Sequence, residues 1–294
     1  MTDAIGDRGN NGGSGSGNGD GGGDERRRLQ ALRGLLGGIG PRVVACSGGI
    51  DSLLLATVAH RQDPAATVVA HAVSPAVPAD ATARVEDRAA REGWSLTLVR
   101  SGEFQNEAYL GNPANRCYHC KTSLYDALGQ LETAVTAGAT LLSGANLDDL
   151  GEYRPGLIAA AERGVRHPFV EAGIGKSAIR AIARHLGLPF AALPASPCLA
   201  SRLYTGTRVT AGRLAAIEAG EALIRRRTGI GVVRCRVREQ DMIVEIDDAD
   251  RDRLSEELLD AVFAAARRHE PGIAGVRLDP KPYRPGRAFL VPPA

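Results

Sequence analysis

The chain has 294 residues, a net charge of +2 and a hydrophobic fraction of 44%, which suffices for one large or two ordinary domains with a buried core. No apolar run reaches the roughly 18 residues of a membrane span, and no apolar stretch typical of a signal peptide lies near the start. We therefore expect a cytoplasmic protein without a membrane partner. The even charge balance argues against a nucleic-acid partner, although six arginines could form a local basic surface: Arg225, Arg226, Arg227, Arg234, Arg236 and Arg238.

The first part of the chain divides into a polar tail and an alternating region. Residues 1–24 are mostly Gly, Asn, Ser and Asp, and such a segment buries too little apolar surface to offset its ordering entropy, so we expect disorder. Predicted strands in 25–205 are 42–46, 67–73, 95–99 and 141–143. Predicted helices are 26–36, 51–60, 79–92, 122–137, 157–163 and 176–186. The alternation predicts an α/β domain with a doubly wound parallel sheet.

The pattern changes after a Pro- and Ser-rich linker at residues 193–206. A predicted helix at 213–227 is followed by strands at 231–238 and 242–246, a helix at 251–268 and a strand near Val276. This order predicts a smaller α+β domain over residues 206–294.

Six residues between the first strand and its helix have the composition of a phosphate-binding loop: Ser47, Gly48, Gly49, Ile50, Asp51 and Ser52. The glycines allow a tight turn whose N–H groups face an anion, the serines add hydroxyl donors, and the helix start adds its positive dipole end. The alternative is an ordinary strand–helix turn with a capping side chain. Residues 173–177 resemble the end of a Walker A loop, but Val170 stands where its first glycine is required. Lys176 is therefore a candidate phosphate contact from outside the loop.

This loop resembles the pyrophosphate-binding loop of the ATP pyrophosphatase superfamily. The resemblance implies cleavage of ATP between its α and β phosphates, an adenylated intermediate, and Mg²⁺ with Asp51 as its nearby carboxylate. The loop alone does not choose among the members of the superfamily.

A Cys-x-x-Cys motif formed by Cys117 and Cys120 allows two thiolates to reach one metal or cluster, and Cys198 offers a third thiol in a loop after the last helix of the α/β domain. Zinc favours a fourth protein ligand, and His119 is badly placed to serve. Three thiols with an open position suit an iron–sulfur cluster, while half of a structural zinc site remains the alternative.

The two remaining cysteines have a different expected role. An odd number of cysteines and a reducing compartment argue against a disulfide framework. Cys46 lies at the end of the first strand and Cys235 lies between Arg234 and Arg236. We expect both thiols to be packing residues.

Three further strings, at residues 144–156, 176–180 and 194–202, accompany the loop and the cysteines. Together they resemble the LarE-type pyridinium-3,5-bisthiocarboxylic acid mononucleotide synthases, ATP-dependent sulfur transferases that build a nickel-pincer cofactor. The resemblance covers most of residues 43–246. It implies an adenine nucleotide alpha hydrolase-like fold, a mononucleotide substrate, and a homo-oligomer for which a hexamer is one candidate.

The resemblance also implies roles for individual residues. The catalytic residues are Cys198, Cys117, Cys120, Asp51, Lys176 and Arg202. Nucleotide binding adds Ser74 and Asn146 to the six loop residues. Substrate binding involves Ser201, Arg202, Arg234, Arg236 and Glu221. Metal binding involves Cys117, Cys120, Cys198 and Glu245.

Two matters stay open within this resemblance. Some members of the family sacrifice the sulfur of one cysteine, whereas others use three cysteines to hold a 4Fe–4S cluster that carries a transferable sulfide; three cysteines favour the second kind. Arg234 and Arg236 share one face of a strand and could clamp a phosphate, or they could form a solvated charged face. Outside the family, the alternatives are a tRNA thiolation enzyme and a nucleotide-binding module without turnover.

Overall fold

The computed structural model describes residues 21–131, 138–151 and 154–290. The predicted tail lies largely outside these residues. Helix α1 spans Gly21–Gly37 and so begins at Gly21 rather than at residue 26. Asp24 in its first turn pairs with Arg27 and Arg28, and a carboxylate at a helix start is favourable to the helix dipole.

The first sheet is parallel throughout and has the order β3-β2-β1-β4 in the described part of the chain. Its strands are β1 (Arg42–Ala45), β2 (Thr67–Ala72), β3 (Ser95–Val99) and β4 (Thr140–Ser143). The predicted parallel α/β sheet is therefore confirmed. Since β2 and β4 flank β1 on opposite sides, the strand order reverses beside β1, where sheets of this kind bind ligands at the carboxyl edge.

Helices cover both faces of this sheet, as the predicted double winding requires. They are α2 (Ile50–Gln62), α3 (Ala79–Glu92), α4 (Glu107–Leu110), α5 (Arg116–Gly129), α6 (Pro155–Glu162), α7 (Pro168–Glu171) and α8 (Lys176–His185). Val44 packs into a core with residues of α1, α2 and α8. Its neighbour Val43 packs into a second core on the other face with Tyr125, Leu128 and Ala160, because successive side chains of a strand alternate between faces.

One boundary correction affects the site. Helix α5 begins at Arg116, not at residue 122, so the Cys-x-x-Cys motif lies within its first turns. Residues 132–137 of the predicted helix fall outside the described residues.

The second sheet has the order β5-β6-β7, with β5 and β6 antiparallel and β6 and β7 parallel. Its elements are helix α9 (Ala211–Thr228), β5 (Val233–Arg238), β6 (Asp241–Ile246), helix α10 (Glu256–Arg267) and β7 (Gly275–Leu278). The predicted helix at 251–268 is divided into a short 3₁₀ turn at Asp248–Arg253 and α10. Ser255 separates them because its side chain accepts a hydrogen bond from the amide of Leu258 and so caps α10.

The core of the second sheet includes residues that precede it in the chain. Tyr109, Leu199 and Leu203 belong to the same buried cluster as Val233 and Val244. The domain boundary after residue 205 stays a prediction. In the described part of the chain, no helix is both long and apolar enough to cross a membrane.

Candidate functional site

The loop after β1 is held by the hydroxyl of Ser52. This hydroxyl accepts a hydrogen bond from the amide of Ser47 at 3.1 Å and donates one to the carbonyl of Gly49 at 3.0 Å. Gly48 has a φ of 79°, and a Cβ there would lie 2.7 Å from the carbonyl oxygen of Ala81. Glycine is therefore required at this position. The result is a compact turn at the start of α2, the geometry that favours anion binding.

The end of β4 closes against the same helix start. A Cβ on Gly144 would lie 2.9 Å from the amide nitrogen of Ser52, so only glycine allows this approach. Asn146 is buried, and its side chain donates to Asp149 at 3.1 Å and accepts from the amide of Asp148 at 3.1 Å. Asn146 thus shapes the loop after β4, and its predicted contact with the nucleotide stays a prediction.

Lys176 and Asp51 form an ion pair across the loop. Burial raises the pKa of Asp51 above its ordinary value, although Lys176 opposes this shift. The second oxygen of Asp51, Oδ1, is buried and has no hydrogen-bond partner in the described part of the chain. The amide of Lys176 donates to the carboxylate of Asp148 at 2.5 Å, which fixes the start of α8 beside the loop.

Ser74 follows β2 at the same edge of the sheet, and its hydroxyl accepts a hydrogen bond from the amide of Ala76 at 3.2 Å. It lines a cavity of about 410 Å³ that lies between the starts of α3 and α9. The amide of Ala79 donates to Glu218 at 2.7 Å across this cavity wall. The cavity opens beside the carboxyl edge of the first sheet, where the loop after β1 also lies.

The three predicted cysteines are contributed by two segments. Cys117 and Cys120 lie one helical turn apart on α5, a spacing that puts both on one side of the helix. Cys198 lies directly before a short 3₁₀ turn at Leu199–Arg202. The Arg116 guanidinium joins these segments by donating to the carbonyl of Ala200 at 2.8 Å.

The thiols influence one another electrostatically. Burial raises the pKa of Cys120 to about 12, and Cys198 and Cys117 add to this increase. Burial alone would lower the pKa of Arg116, but Cys198 and Cys117 raise it. Among the described residues, no group of three His, Cys, Asp or Glu side chains is close enough to hold a single metal ion. The thiolates that hold a 4Fe–4S cluster bind separate irons, so they need not converge on one point as the four ligands of a structural zinc ion do.

Arg202 connects the Cys198 segment to the second sheet. Its guanidinium donates to the carbonyls of Pro197 and Cys198 at 2.7 and 3.2 Å and to both oxygens of Glu221 at 2.9 and 3.1 Å. Burial would raise the pKa of Glu221, but Arg202 and Arg225 hold it below its ordinary value. The backbone carrying Cys198 is therefore fixed by a buried ion pair.

Arg234 and Arg236 share a buried face of β5, with exposed fractions of 7% and 4%. The alternative of a solvated charged face is therefore wrong. Arg236 donates to Glu245 at 2.8 Å, whereas Arg234 lies 5.4 Å from the ring centroid of Tyr283. Within the described residues, the Arg234 guanidinium donates its hydrogen bonds to backbone carbonyls, those of Val233 and Ala195.

Glu245 is fully buried, and its oxygens accept hydrogen bonds from Arg236 at 2.8 Å and from Arg287 at 3.2 Å. A metal ion bound there would have to displace at least one guanidinium, so the metal role of Glu245 stays a prediction. Ser201 contributes its carbonyl oxygen to Arg236 at 3.1 Å and its hydroxyl to Arg202 at 3.1 Å. One hydrogen-bonded network therefore joins the segment that carries Cys198 to Ser201, Arg202, Glu221 and Arg236, whereas Arg234 donates to the carbonyl of Ala195 at 3.4 Å.

Comparison with known proteins gives the family. No family model matches the chain. The chain is 38% identical to an uncharacterized protein of Synechocystis over 75% of this chain and 81% of that protein. An uncharacterized protein of Methanocaldococcus jannaschii is 28% identical over 70% of this chain and 77% of its own length. The pyridinium-3,5-bisthiocarboxylic acid mononucleotide synthase of Lactiplantibacillus plantarum is 31% identical over 70% of this chain and 74% of its own length.

The chain belongs to the family of this synthase. The parallel sheet with helices on both faces is the fold expected for that family. The synthase family resemblance drawn from the sequence motifs is thus confirmed at the level of the family.

Three residues near the candidate site were not singled out from the sequence. Arg116 directly precedes Cys117, and its position alone could have indicated a link between the thiols. Tyr283 and Arg287 lie in the last segment of the described chain, which closes over the charged face of β5: the amide of Tyr283 donates to the carbonyl of Ile246 at 2.9 Å. Their only sequence signal is a run of aromatic and basic residues among prolines at 280–287.

Proposed function

We propose that this chain is an ATP-dependent sulfurtransferase that adenylates the carboxylate of a pyridinium mononucleotide and replaces a carboxylate oxygen by sulfur. The observation that carries this proposal is the connection of a phosphate-binding loop and three thiols to one edge of the first sheet. The amide of Leu199, next to Cys198, donates at 2.8 Å to the carbonyl of Ala76, just beyond β2. Family membership supplies the substrate class.

The first step is adenylation. The triphosphate lies against the amides of Ser47 to Ser52, and the substrate carboxylate attacks the α-phosphate while pyrophosphate leaves. Lys176 lies beside the loop through its pair with Asp51, which supports a role for its ammonium in stabilising negative charge that develops on the phosphates. Preorganised amides and cations of this kind stabilise a transition state without reorganisation.

A magnesium ion fits the same loop. Mg²⁺ prefers carboxylate oxygens and substrate phosphates as ligands, and Asp51 Oδ1 is a buried oxygen without a partner among the described residues. Asp51 would hold the ion against the phosphates, where the ion would neutralise their charge.

The second step is sulfur transfer. A sulfur nucleophile attacks the acyl carbon of the adenylate, the bond from that carbon to the AMP oxygen breaks, and AMP leaves. Cys117, Cys120 and Cys198 would hold a 4Fe–4S cluster, which would supply a sulfide as the nucleophile when bound. Arg202 fixes the backbone of Cys198, and Arg116 holds the helix that carries the other two thiols. The alternative source is the Cys198 sulfur itself, which is exposed.

The substrate phosphate would bind to Arg234. This guanidinium is buried but has no carboxylate hydrogen-bond partner in the described part of the chain, and burial lowers its pKa, as does the neighbouring Arg202. A phosphate would compensate this charge with bidentate hydrogen bonds. Arg236, Ser201 and Glu221 would then act mainly by holding the site in shape. A homo-oligomer, for which a hexamer is one candidate, remains part of the proposal.

The tRNA thiolation alternative is less well supported. RNA binding requires a broad basic surface, but Arg234 and Arg236 are buried and Arg238 stacks on Tyr204 with 5.8 Å to the ring centroid. Among the described residues, three arginines of the basic cluster are exposed and form no ion pair, namely Arg226, Arg227 and Arg238, and they make a small basic surface. A nucleotide-binding module without turnover would not need thiols connected to the loop.

Pyrophosphate release from ATP and Mg²⁺ tests the proposal. We expect release that depends on an added pyridinium carboxylate mononucleotide and does not respond to tRNA. Release stimulated by tRNA alone would support the thiolation alternative. No release with either acceptor would support the binding module.

A further inference from the structure

Tyr109 carries a buried hydroxyl whose role the mechanism above does not explain. The residue lies on α4, its exposed fraction is 1%, and its hydroxyl has no hydrogen-bond partner in the described part of the chain. Buried polar groups in folded proteins nearly always have a partner, and each exception calls for an explanation. An unsatisfied hydroxyl destabilises the fold, so its presence points to a partner that the chain alone does not supply.

The surroundings of Tyr109 indicate what this partner is. Its ring packs against Phe104 with 5.6 Å between ring centroids, and it shares a core cluster with Leu199 and Ala200, against which Cys120 also packs. Burial raises the pKa of Tyr109, and the thiols of Cys198 and Cys120 raise it further. The hydroxyl therefore lies close to both segments that carry the cysteines.

The backbone holds Tyr109 firmly in this position. Its amide donates to the carbonyl of Asn106 at 3.0 Å, and its carbonyl accepts from the amide of Asn112 at 3.0 Å. Asn112 in turn accepts a hydrogen bond from Arg116 at 2.6 Å and donates to the carbonyl of Thr207 at 2.9 Å. The backbone that carries Tyr109 is thus fixed on both sides, and the burial of the side chain keeps its hydroxyl away from solvent.

We propose that the Tyr109 hydroxyl donates a hydrogen bond to an anionic sulfur held at the site of Cys117, Cys120 and Cys198, and that it is a positioning residue for sulfur transfer. A phenol keeps its proton at neutral pH and can donate it in a hydrogen bond, and an anionic acceptor strengthens such a bond. The sulfur belongs to a bound cluster or sulfide, because the thiol of Cys198 is not a hydrogen-bond partner of the hydroxyl in the described structure. This inference rests on the proposed function of the cysteine site.

Tyr109→Phe removes only the hydroxyl oxygen, so it tests the bond with little change in packing. Tyr118→Phe is the matched control, because Tyr118 lies next to Cys117 but its hydroxyl already donates to Glu162 at 2.8 Å. Thermal unfolding is measured anaerobically for the full chain and both variants, first without iron and then after addition of iron and sulfide. A ligand that binds the folded chain raises the unfolding temperature.

Without iron, we expect Tyr109→Phe to unfold at the same temperature as the wild-type chain or at a higher one. On addition of iron and sulfide, the unfolding temperature of Tyr109→Phe should rise by less than that of the wild-type chain. The unfolding temperature of Tyr118→Phe should rise on loading by as much as that of the wild-type chain. Equal gains in Tyr109→Phe and wild type would overturn the proposal, because the hydroxyl would then have no partner in either form.

A second measurement tests whether the acceptor is held by the three cysteines. Cys198→Ala is combined with Tyr109→Phe, and the rise in unfolding temperature on addition of iron and sulfide is compared with that of each single variant. We expect the losses of this rise in the two single variants not to add up in the double variant, because groups that interact are coupled. Additive losses, or a wild-type chain whose unfolding temperature does not rise on loading, would overturn the proposal.

Product analysis separates this inference from the proposed function. Tyr109→Phe should keep carboxylate-dependent pyrophosphate release, since adenylation does not involve the hydroxyl, but should form less thiocarboxylate per pyrophosphate released. If the wild-type chain releases no pyrophosphate, the proposed function fails, whereas the stability measurements still test the hydrogen bond.

Discussion

The phosphate-loop edge of the first sheet and the charged face of the second sheet both contain carboxylates with buried oxygens, but they differ in the hydrogen bonds that these oxygens accept. Asp51 at the first has one oxygen without a partner among the described residues. At the second, Glu221 and Glu245 each accept hydrogen bonds from two guanidinium groups. Because a buried polar group without a partner is costly, the first region is suited to receiving a ligand and the second to maintaining a shape.

The sharpest distinction between the two regions is expected in catalysis. Asp51→Asn keeps the size of the side chain but removes its charge, so Mg²⁺ and the ammonium of Lys176 lose their anionic partner. We expect pyrophosphate release to fall by about 100-fold or more, since loss of one preorganised electrostatic contact has effects of this size. Asp87→Asn is the control, because Asp87 is exposed on α3 and pairs only with Arg91 in the described residues. Normal turnover of Asp51→Asn would show that Asp51 has no part in the reaction.

Substitutions in the second region should lower the free energy of unfolding. Glu221→Gln leaves Arg202 buried without its charge partner, and loss of one member of a buried pair costs about 3–5 kcal/mol. Urea unfolding measures this change. Glu107→Gln breaks the exposed pair with Arg208 and should leave the unfolding midpoint unchanged. A similar small effect for both variants would show that the buried network does not stabilise the fold.

Replacement of Arg234 and replacement of Arg236 should have different effects, because of these two only Arg236 donates a hydrogen bond to a carboxylate among the described residues. Arg234→Ala should raise the KM for the mononucleotide roughly 10- to 100-fold, the range expected for hydrogen bonds to a charged group, and spare the KM for ATP. Arg236→Ala should instead lower stability. The proposed phosphate contact would be contradicted if Arg234→Ala left the KM for the mononucleotide unchanged.

The smallest expected effect is a difference in pH dependence. The pKa of Asp51 is raised above 3.8, so its ionisation lowers stability as the pH rises from 3.8 through the folded-state pKa. The pKa of Glu221 is held below 4.5, so its contribution is present above 4.5 and is lost as the pH falls through the lower folded-state pKa. As the pH rises, the ionisation of Asp51 therefore lowers stability, whereas that of Glu221 raises it.

Thermal unfolding of Asp51→Asn and wild type over a pH series tests this difference. The stability of Asp51→Asn relative to the wild-type chain should increase as the pH rises from below 3.8 toward neutrality, because asparagine does not ionise. A constant difference across the series would mean that Asp51 is not destabilised by burial.

The elements with strong local patterns could be predicted well from the sequence. Helix α3 and strand β3 have the predicted bounds of 79–92 and 95–99, because apolar periodicity and Gly93 between them define both ends. The start of α5 was misplaced because residues 116–121 alternate charged, aromatic and thiol side chains without a helical apolar period. Cys117 and Cys120 therefore lie on α5 and not before it.

The candidate site was predicted in its parts but not in its connections. The string from Ser47 to Ser52 specifies a loop because its chemistry is local. The links from Arg202 to Glu221 and from Arg116 to Ala200 join residues that are 19 and 84 positions apart, and no local pattern encodes such contacts. A missing partner, as at Tyr109, is a property of the folded surroundings and has no signature in the sequence.

The most direct test of the central claim is mass spectrometry of the small-molecule product and of the intact chain after reaction with ATP, Mg²⁺ and the pyridinium carboxylate mononucleotide. We expect one carboxylate oxygen of the substrate to be replaced by sulfur, with one AMP and one pyrophosphate formed for each replacement. An unchanged chain mass after repeated turnover would assign the sulfur to a sulfide held by the three cysteines, and loss of one H₂S at Cys198 would assign it to that residue. A substrate that remains a carboxylate while ATP is consumed would contradict the account.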